Sequence, residues 1–123
     1  MPEDRYQTAI FDFRNNSKVI SPVQIAVKNS ILIMEGVFLF RSELVNYWDL
    51  KIFIDIDFKI ALERALKRNT ERTFIGNKNK IQEKYEKRYI PAQQIYFENI
   101  NPKEKANIII NNNDFKNPII TKG

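Results

Sequence analysis

Two residue types that carry much of protein chemistry are missing from the sequence, which contains no cysteine and no histidine. Without cysteine there are no disulfides, thiolate nucleophiles or thiolate metal sites, and without histidine an imidazole base and most zinc sites are excluded. Acid–base or metal chemistry within this chain must therefore use aspartate and glutamate, whose oxygens suit a hard ion such as Mg²⁺.

Long apolar runs are also missing, because no stretch reaches the ~20 residues that a membrane-spanning helix needs. The N-terminal MPEDRYQ is acidic and polar, unlike a secretory signal, and a cytoplasmic location is expected. The sequence has no repeats and no internal linker, so residues 1–123 are predicted to form one domain.

Basic residues are concentrated in one part of the chain. The segment 59–88 contains ten basic and four acidic residues, so its charge is +6, and the rest of the chain carries −1 of the net +5. Such a local field attracts phosphate, whether in a nucleotide, in a nucleic acid or on a membrane surface. The alternative is that these lysines and arginines simply lie on solvent-exposed helix faces and bind no partner.

Apolar runs alternate with helical patterns. The predicted strands are YQTAIFDF (residues 6–13), ILIME (31–35), KIFIDI (51–56) and ANIIIN (106–111). The last three are continuous runs of the kind buried in parallel sheets, which indicates an α/β fold with a largely parallel sheet. Ligands bind outside the carboxyl ends of such strands, and Glu35, Asp55 and Asp57 stand at those ends.

Two helices are predicted between the last two strands. The first follows Asp57, because apolar residues recur there at three- and four-residue spacing. The second begins at about Lys80 and is expected to kink or break at Pro91. The polar segment between them, which contains Gly76, is predicted to be a mobile loop, and the tail NNNDFKNPIITKG is predicted to be irregular.

The order of these segments resembles the C-terminal part of the uridine kinase-like P-loop phosphotransferases, a family of uridine and cytidine kinases with phosphoribulokinase relatives. The matching pieces are YQTAIFDF, ILIMEGVFLF, DLKIFIDIDFKIALERALKRN, YEKRYIPAQQIYFENINP and ANIIINNND, which together extend from Tyr6 to Asp114. The resemblance implies a partial P-loop kinase fold, with a mostly parallel sheet, flanking helices and an arginine-rich lid at about residues 67–80. It also implies ATP as co-substrate and Mg²⁺ as cofactor.

Glu35 and Gly36 match the Glu-Gly strand end that helps to hold the magnesium of bound ATP in this family. Magnesium prefers one or two carboxylates together with phosphate oxygens and water, and glycine lets the backbone approach phosphate closely. The alternative is that Glu35 pairs with a nearby lysine or arginine. Without its partners in the site, Glu35 is expected to be solvent-exposed or paired with a lid arginine.

The resemblance makes Arg64, Arg68 and Arg72 the phosphate contacts of the lid. A planar guanidinium binds phosphate through two donors and stabilises charge on the transferred phosphoryl group. Arg64 and Arg68 share a helix face, and a solvated helix end is the alternative for Arg64. The sequence departs from the family at Asn69, where aspartate is frequent, and at ERTF, where the family has a fuller ERGR.

The remaining site residues also come from the resemblance. Phe11 or Phe13 would stack on the nucleoside base and Asp12 would orient its polar groups, although an ordinary aromatic hairpin is an equal alternative. On the second helix, Tyr89 and Gln93 are candidates for the acceptor site. After the last strand, Asn112 and Asn113 would lie near the adenine.

The P-loop motif G-x-x-x-x-G-K-[ST] does not occur in the 123 residues, which contain three glycines, Gly36, Gly76 and Gly123. The family's catalytic aspartate, which accepts the proton of the attacking hydroxyl, has no match either. In the family the P-loop strand lies between the strands that match ILIME and KIFIDI. We therefore expect a truncated product, a partial gene model or one part of a split protein, with no phosphate transfer by the isolated chain.

Two other functions remain open. One is a basic nucleic-acid-binding module, supported by a sequence pI near 9.5, although no nucleic-acid motif is present. The other is a non-catalytic subunit that pairs with a chain carrying the P-loop. The favoured partners are a nucleotide, a small nucleoside substrate and the missing P-loop segment or a complementary chain, rather than a membrane or a nucleic acid.

Overall fold

The computed structural model describes residues 4–123. The chain divides into two compact units, Met1–Met34 and Glu35–Gly123. One domain over residues 1–123 stays a prediction, because two contact units can belong to one domain. In the described part of the chain, no helix is long and apolar enough to cross a membrane.

The first unit contains two short antiparallel strand pairs. β1 (Arg5–Tyr6) pairs with β4 (Gln24–Ile25), and β2 (Phe11–Asp12) pairs with β3 (Ser17–Lys18). The single strand predicted over residues 6–13 is therefore wrong, because the ladder is interrupted between β1 and β2. Each piece pairs with a different returning segment.

The predicted buried strand at residues 31–35 is also wrong. Residues 31–36 form no strand, and Ile31 and Ile33 are 87% and 90% exposed. A single strand without a hydrogen-bonded neighbour is not stable in water, and no described residue supplies one here. The apolar run therefore lies unpaired on the surface of its unit.

The second unit contains a three-stranded sheet in the order β5 (Ile52–Asp55), β6 (Ile108–Asn111) and β7 (Ile119–Lys122). β5 and β6 are parallel, as predicted, with Ile52 opposite Ile108. β7 returns antiparallel to β6, so the sheet is mixed and a mostly parallel sheet is not confirmed. The tail that was predicted to be irregular makes this return through a tight turn at residues 114–117.

The second unit also contains five α-helices: α1 (Phe58–Lys67), α2 (Asn69–Phe74), α3 (Lys78–Lys84), α4 (Ile90–Ile100) and α5 (Pro102–Lys105). α1 begins after Asp57 as predicted. The prediction of a mobile loop at residues 69–80 is wrong, because this segment consists largely of α2 and the start of α3. Gly76, at φ +123°, separates the two helices, and the Asn77 side chain caps α3 by accepting from the Lys80 N–H.

A π-helical segment, Tyr85–Tyr89, joins α3 to α4. The Ile90 N–H donates to the Tyr85 carbonyl five residues earlier. Pro91 follows at the start of α4, where it has no N–H to continue the α-helical pattern. The chain remains helical through Pro91, so it does not break there, and the widened turn lies directly before the proline.

In the core of the second unit, residues near the start of that unit pack against α4 and the sheet. The buried residues of this core are Phe40, Tyr96, Ala106 and Ile109. The Phe40 N–H donates to the Tyr96 hydroxyl at 3.1 Å, and the Trp48 indole N–H donates to the Leu39 carbonyl at 2.7 Å. The first bond attaches the irregular segment before β5 to α4, and the second joins two parts of that segment.

Candidate functional site

The carboxyl ends of β5 and β6 lead into a well-bonded loop at residues 112–117, here called the 112–117 loop. The Asn112 N–H donates to the Asp55 carbonyl at 2.9 Å, which continues the pairing of the two strands. The Asn113 side-chain oxygen accepts from the Asp57 N–H at 2.9 Å. The loop is thereby tied to the start of α1, at the sheet edge where α/β proteins bind ligands.

Arg64 on α1 is the second attachment of this loop. Its Nη2 donates to the carbonyl oxygens of Asn112 and Asn113, both at 2.8 Å. Its guanidinium carbon lies 5.5 Å from the centre of the Phe115 ring, within cation–π range. The resemblance made Arg64 a phosphate contact, whereas the structure places it against the backbone and ring of the loop.

Asp114 closes the loop from within. Its carboxylate accepts from the Asn117 side-chain N–H at 2.8 Å and from the Lys116 N–H at 3.0 Å. These hydrogen bonds, that of Asn117 first, lower the pKa of Asp114 below its ordinary value of 3.8. They favour the ionised form in the folded loop.

The loop should therefore open in acid. A carboxylate with a lowered folded pKa stabilises the fold above its unfolded pKa, and this contribution is lost as the pH falls through the folded pKa. We expect amide exchange at Lys116 and Asn117, corrected for its intrinsic pH dependence, to rise below pH 3.8. Asp114→Ala should remove this dependence; an unchanged profile in that variant would contradict the assignment.

Asp55, at the end of β5, is paired with a lysine. Its Oδ2 lies 2.8 Å from the Lys103 Nζ, which also lies 5.9 Å from the centre of the Phe53 ring. The pairing of Lys103 with Asp55 was not predicted from the sequence, because the two residues are 48 positions apart. Lys103 therefore offsets the negative charge of Asp55 at this edge.

The predicted lid contains one ion pair and one unpaired oxygen. Arg68, which separates α1 from α2, lies 3.3 Å from the Glu71 Oε1, and the Tyr85 hydroxyl donates to the same oxygen at 3.3 Å. Glu71 Oε2 is buried and has no hydrogen-bond partner among the described residues. Burial and then the nearby Glu71 charge raise the pKa of Tyr85, so its hydroxyl keeps the proton that it donates.

Arg68 nevertheless remains accessible, since more than half of its side chain is exposed. Arg72 is exposed as well, and its Nη2 reaches the Leu66 carbonyl at 3.5 Å. Sequence reasoning missed Glu71 and Tyr85. The spacing of three residues was a usable signal, because Arg68 directly precedes α2 and Glu71 lies in the first turn of that helix.

Glu35 is exposed, as expected. Among residues 4–123, no group of three or more acidic side chains is arranged to hold a metal ion. Glu35 fits Mg²⁺ only as a single carboxylate ligand, with phosphate oxygens and water as the others. Next to it, a Cβ at Gly36 would lie 3.0 Å from Leu39 Cδ2, so a larger residue there would displace that side chain.

The predicted nucleoside residues lie in the first unit, on the β2–β3 hairpin. Phe11 and Phe13 are exposed, and the Arg14 guanidinium lies 5.9 Å from the centre of the Phe13 ring. The Asp12 carboxylate accepts from the Arg14 N–H at 2.9 Å and from the Asn15 side chain at 3.1 Å. Asp12 thus stabilises the turn between β2 and β3.

The predicted acceptor residues lie in the second unit. Tyr89 packs edge-on against Tyr85 at 5.1 Å, with Lys84 Nζ 5.6 Å from the centre of its ring. Gln93 is half-buried one turn later on α4. Through Tyr85, which donates to Glu71, Tyr89 is connected to the predicted lid.

The sequence model of the phosphoribulokinase / uridine kinase family matches residues 4–115. The chain belongs to this family. It is 32% identical over 89 residues to a protein named uridine/cytidine kinase UKL1, chloroplastic, from Arabidopsis thaliana. A second match to an Arabidopsis protein of the same name is 29% identical over 66 residues.

These matches cover 71% and 53% of the chain, but they cover 18% and 14% of the relatives. The chain therefore spans less than a fifth of the length of the curated relatives it matches. No solved structure matches it. The family matched is the one to which the five sequence segments pointed, so that prediction is confirmed.

Proposed function

We propose that the chain is part of an ATP-dependent kinase that phosphorylates a hydroxyl group of uridine or cytidine. The observation that carries this proposal is the family match over residues 4–115, and the Arabidopsis relatives are named as uridine/cytidine kinases. The cytoplasm is proposed as the compartment on the absence of cysteine, although those relatives are named chloroplastic.

In this proposal each candidate residue has one task. Mg²⁺, when bound with ATP, neutralises phosphate charge, and Glu35 would supply one of its ligands. Arg68 and Arg72 would bind the phosphates from the lid. Phe11, Asp12 and Phe13 would hold the nucleoside.

Five further residues, one of them Gly36, have proposed roles. Tyr89 and Gln93 would contact the acceptor, while Asn112 and Asn113 would bind near the adenine. Gly36 would let the backbone after Glu35 approach the phosphates.

We further propose that β5 pairs with a strand that carries a P-loop and is not among these 123 residues. The carbonyls of Lys51 and Asp55 accept hydrogen bonds from the β6 side. Since backbone groups alternate along a strand, those of Ile52 and Ile54 face the opposite edge, where no described residue pairs with them. Their side chains are 45% and 48% exposed, so a neighbouring strand would also bury apolar surface.

The test is to measure ATP-dependent phosphorylation of uridine and cytidine by the chain alone and after fusion to the P-loop unit of an active uridine kinase. We expect no transfer by the chain alone, because it lacks the lysine and backbone cradle for the phosphates. We expect transfer by the fusion. A fusion whose P-loop lysine is replaced by alanine is the control and should be inactive.

Activity of the chain alone would overturn the proposal that it needs a P-loop partner. An inactive but folded fusion that binds ATP would overturn the proposed nucleoside specificity, and the same assay with other hydroxyl compounds would then identify the acceptor.

A nucleic-acid-binding module is the second candidate. It is favoured by one observation, namely that Arg72, Lys78, Lys80, Lys87 and Arg88 are all exposed. Binding to single-stranded RNA that weakens with salt and is unaffected by ATP would support it. Displacement of the RNA by ATP would instead assign the basic residues to the kinase lid.

A further inference from the structure

Glu71 in α2 carries its charge in a place that is largely shielded from water. Only 14% of its side chain is exposed, and its Oε2 is buried without a hydrogen-bond partner among the described residues. By comparison, Glu83, which pairs with Lys87 on the surface, is 60% exposed. A shielded charge is screened less by water and salt, so Glu71 attracts a nearby cation more strongly than Glu83 does.

Helix capping does not account for the position of Glu71. It is the third residue of α2, where a glutamate side chain often accepts from the backbone N–H of the residue before the helix. Here that N–H belongs to Arg68 and donates to the Ala65 carbonyl at 3.1 Å. The Glu71 carboxylate instead contacts the Arg68 guanidinium, so the contact is with the charge and not with the backbone.

The contact between Glu71 and Arg68 is weak enough to be replaced. It joins one guanidinium nitrogen, Nη1, to one carboxylate oxygen, Oε1, at 3.3 Å. Hydrogen bonds from arginine to phosphate are commonly bidentate and shorter, at about 2.7–2.9 Å. Because more than half of the Arg68 side chain is exposed, phosphate can reach the guanidinium from solvent. Phosphate therefore offers Arg68 a better acceptor than Glu71 does.

Tyr85 gives Glu71 a second attachment that does not depend on Arg68. Its hydroxyl donates to the same Oε1 at 3.3 Å, and Tyr85 is the first residue of the π-helical segment after α3. Glu71 is thus bonded to a helix other than its own. This bond would keep the carboxylate in place while the Arg68 side chain changes partner.

We propose that Glu71 is an internal competitor of phosphate for Arg68. In the ligand-free chain it holds the guanidinium, a ligand that carries phosphate groups displaces it, and it binds Arg68 again when that ligand leaves. The inference rests on the proposed phosphate-binding role of Arg68, and it adds a residue that lowers the affinity for phosphate. In a kinase, such competition favours opening of the lid and release of the spent nucleotide.

Removing the competing charge should tighten phosphate binding. Glu71→Gln keeps the size of the side chain and an oxygen that can accept from Tyr85, but it removes the charge that holds Arg68. The probe is tripolyphosphate, titrated into the full chain at low salt and followed by the amide NMR signals of residues 68–72. We expect Glu71→Gln to bind it about two- to fivefold more tightly, as for loss of a partly exposed ion pair.

Two comparisons separate competition from a general change in charge. Glu83→Gln removes the same charge from a glutamate that is also paired with a cation, and it should leave the affinity for tripolyphosphate nearly unchanged. Arg68→Ala should weaken binding, and adding Glu71→Gln to it should not restore the affinity, because the contested guanidinium is absent. Amide signals of β5 and β6 should stay in place in every variant, since the fold is kept.

The inference fails if Glu71→Gln binds tripolyphosphate equally or more weakly, since weaker binding would mean that Glu71 orients Arg68 for phosphate. It also fails if Glu83→Gln tightens binding as much, or if tripolyphosphate does not shift the signals of residues 68–72 in the unmodified chain. None of these results involves phosphate transfer, which the P-loop fusion measures. Failure of the competitor and failure of the kinase assignment are therefore distinguishable.

Discussion

Replacing Tyr96 by alanine should lower the free energy of unfolding of the unit Glu35–Gly123 by about 3–5 kcal/mol, the range for removing a large aromatic side chain from a core. Tyr96 is buried with Phe40, Ala106 and Ile109, and its ring meets the Phe38 ring edge-on at 5.3 Å. Its loss leaves a cavity and removes the acceptor of the Phe40 N–H. Urea denaturation followed by the fluorescence of Trp48 measures this change.

Tyr96→Phe separates the two contributions. This variant keeps the ring but leaves the buried Phe40 N–H without its acceptor, which should cost about 1–3 kcal/mol. Glu98→Ala, at an exposed position two residues further along α4, serves as the control and should change stability little. A loss below about 1 kcal/mol for Tyr96→Ala would contradict the burial described for this residue.

Replacing Arg68 by alanine in the P-loop fusion should lower kcat by about 10²–10³, the effect of removing one donor that stabilises transition-state charge. Arg68 is exposed at the break between α1 and α2, and its present partner is a carboxylate. Phosphate oxygens would take the place of Glu71 as the acceptors of its donors. Steady-state kinetics at saturating ATP and uridine measure the change in kcat.

Arg68→Lys should recover only part of this loss, because the ammonium keeps the charge without the planar fork. Lys87→Ala is the matched control, since Lys87 is also positively charged, exposed and paired with a glutamate at 2.7 Å. An equal fall in kcat for both alanine variants would mean that only the net charge of the helices matters, and it would remove Arg68 from the proposed site.

Features encoded by neighbouring residues were predictable from the sequence. The run that becomes β5, the run that becomes β6 and the helical spacing that becomes α1 are local patterns, and the structure contains all three elements. The run at residues 31–35 has a similar composition to β5, but a strand also needs a partner. Because no described residue supplies that partner, the sequence pattern alone gave the wrong result there.

The candidate site was predictable to a similar extent. Arg68 and Asn112 were found because they stand in segments that match the family. The bonds from Arg64 to the 112–117 loop join residues 48 and 49 positions apart, so no local spacing indicated them. Polar sequence suggested a loop for α2, since such short helices give weak periodic signals.

The π-helical segment has a consequence for the geometry of the helices on either side. In the π-helical segment the hydrogen bond spans five residues instead of four. The chain therefore rotates less per residue there than in α3 and α4, which have 3.6 residues per turn. The segment therefore acts as a one-residue shift in helical phase, equivalent to about 100° of rotation. On an uninterrupted helical wheel Tyr96 would lie about 60° from Ile81, whereas the one-residue shift places it about 40° to the other side of Ile81. Both side chains are buried.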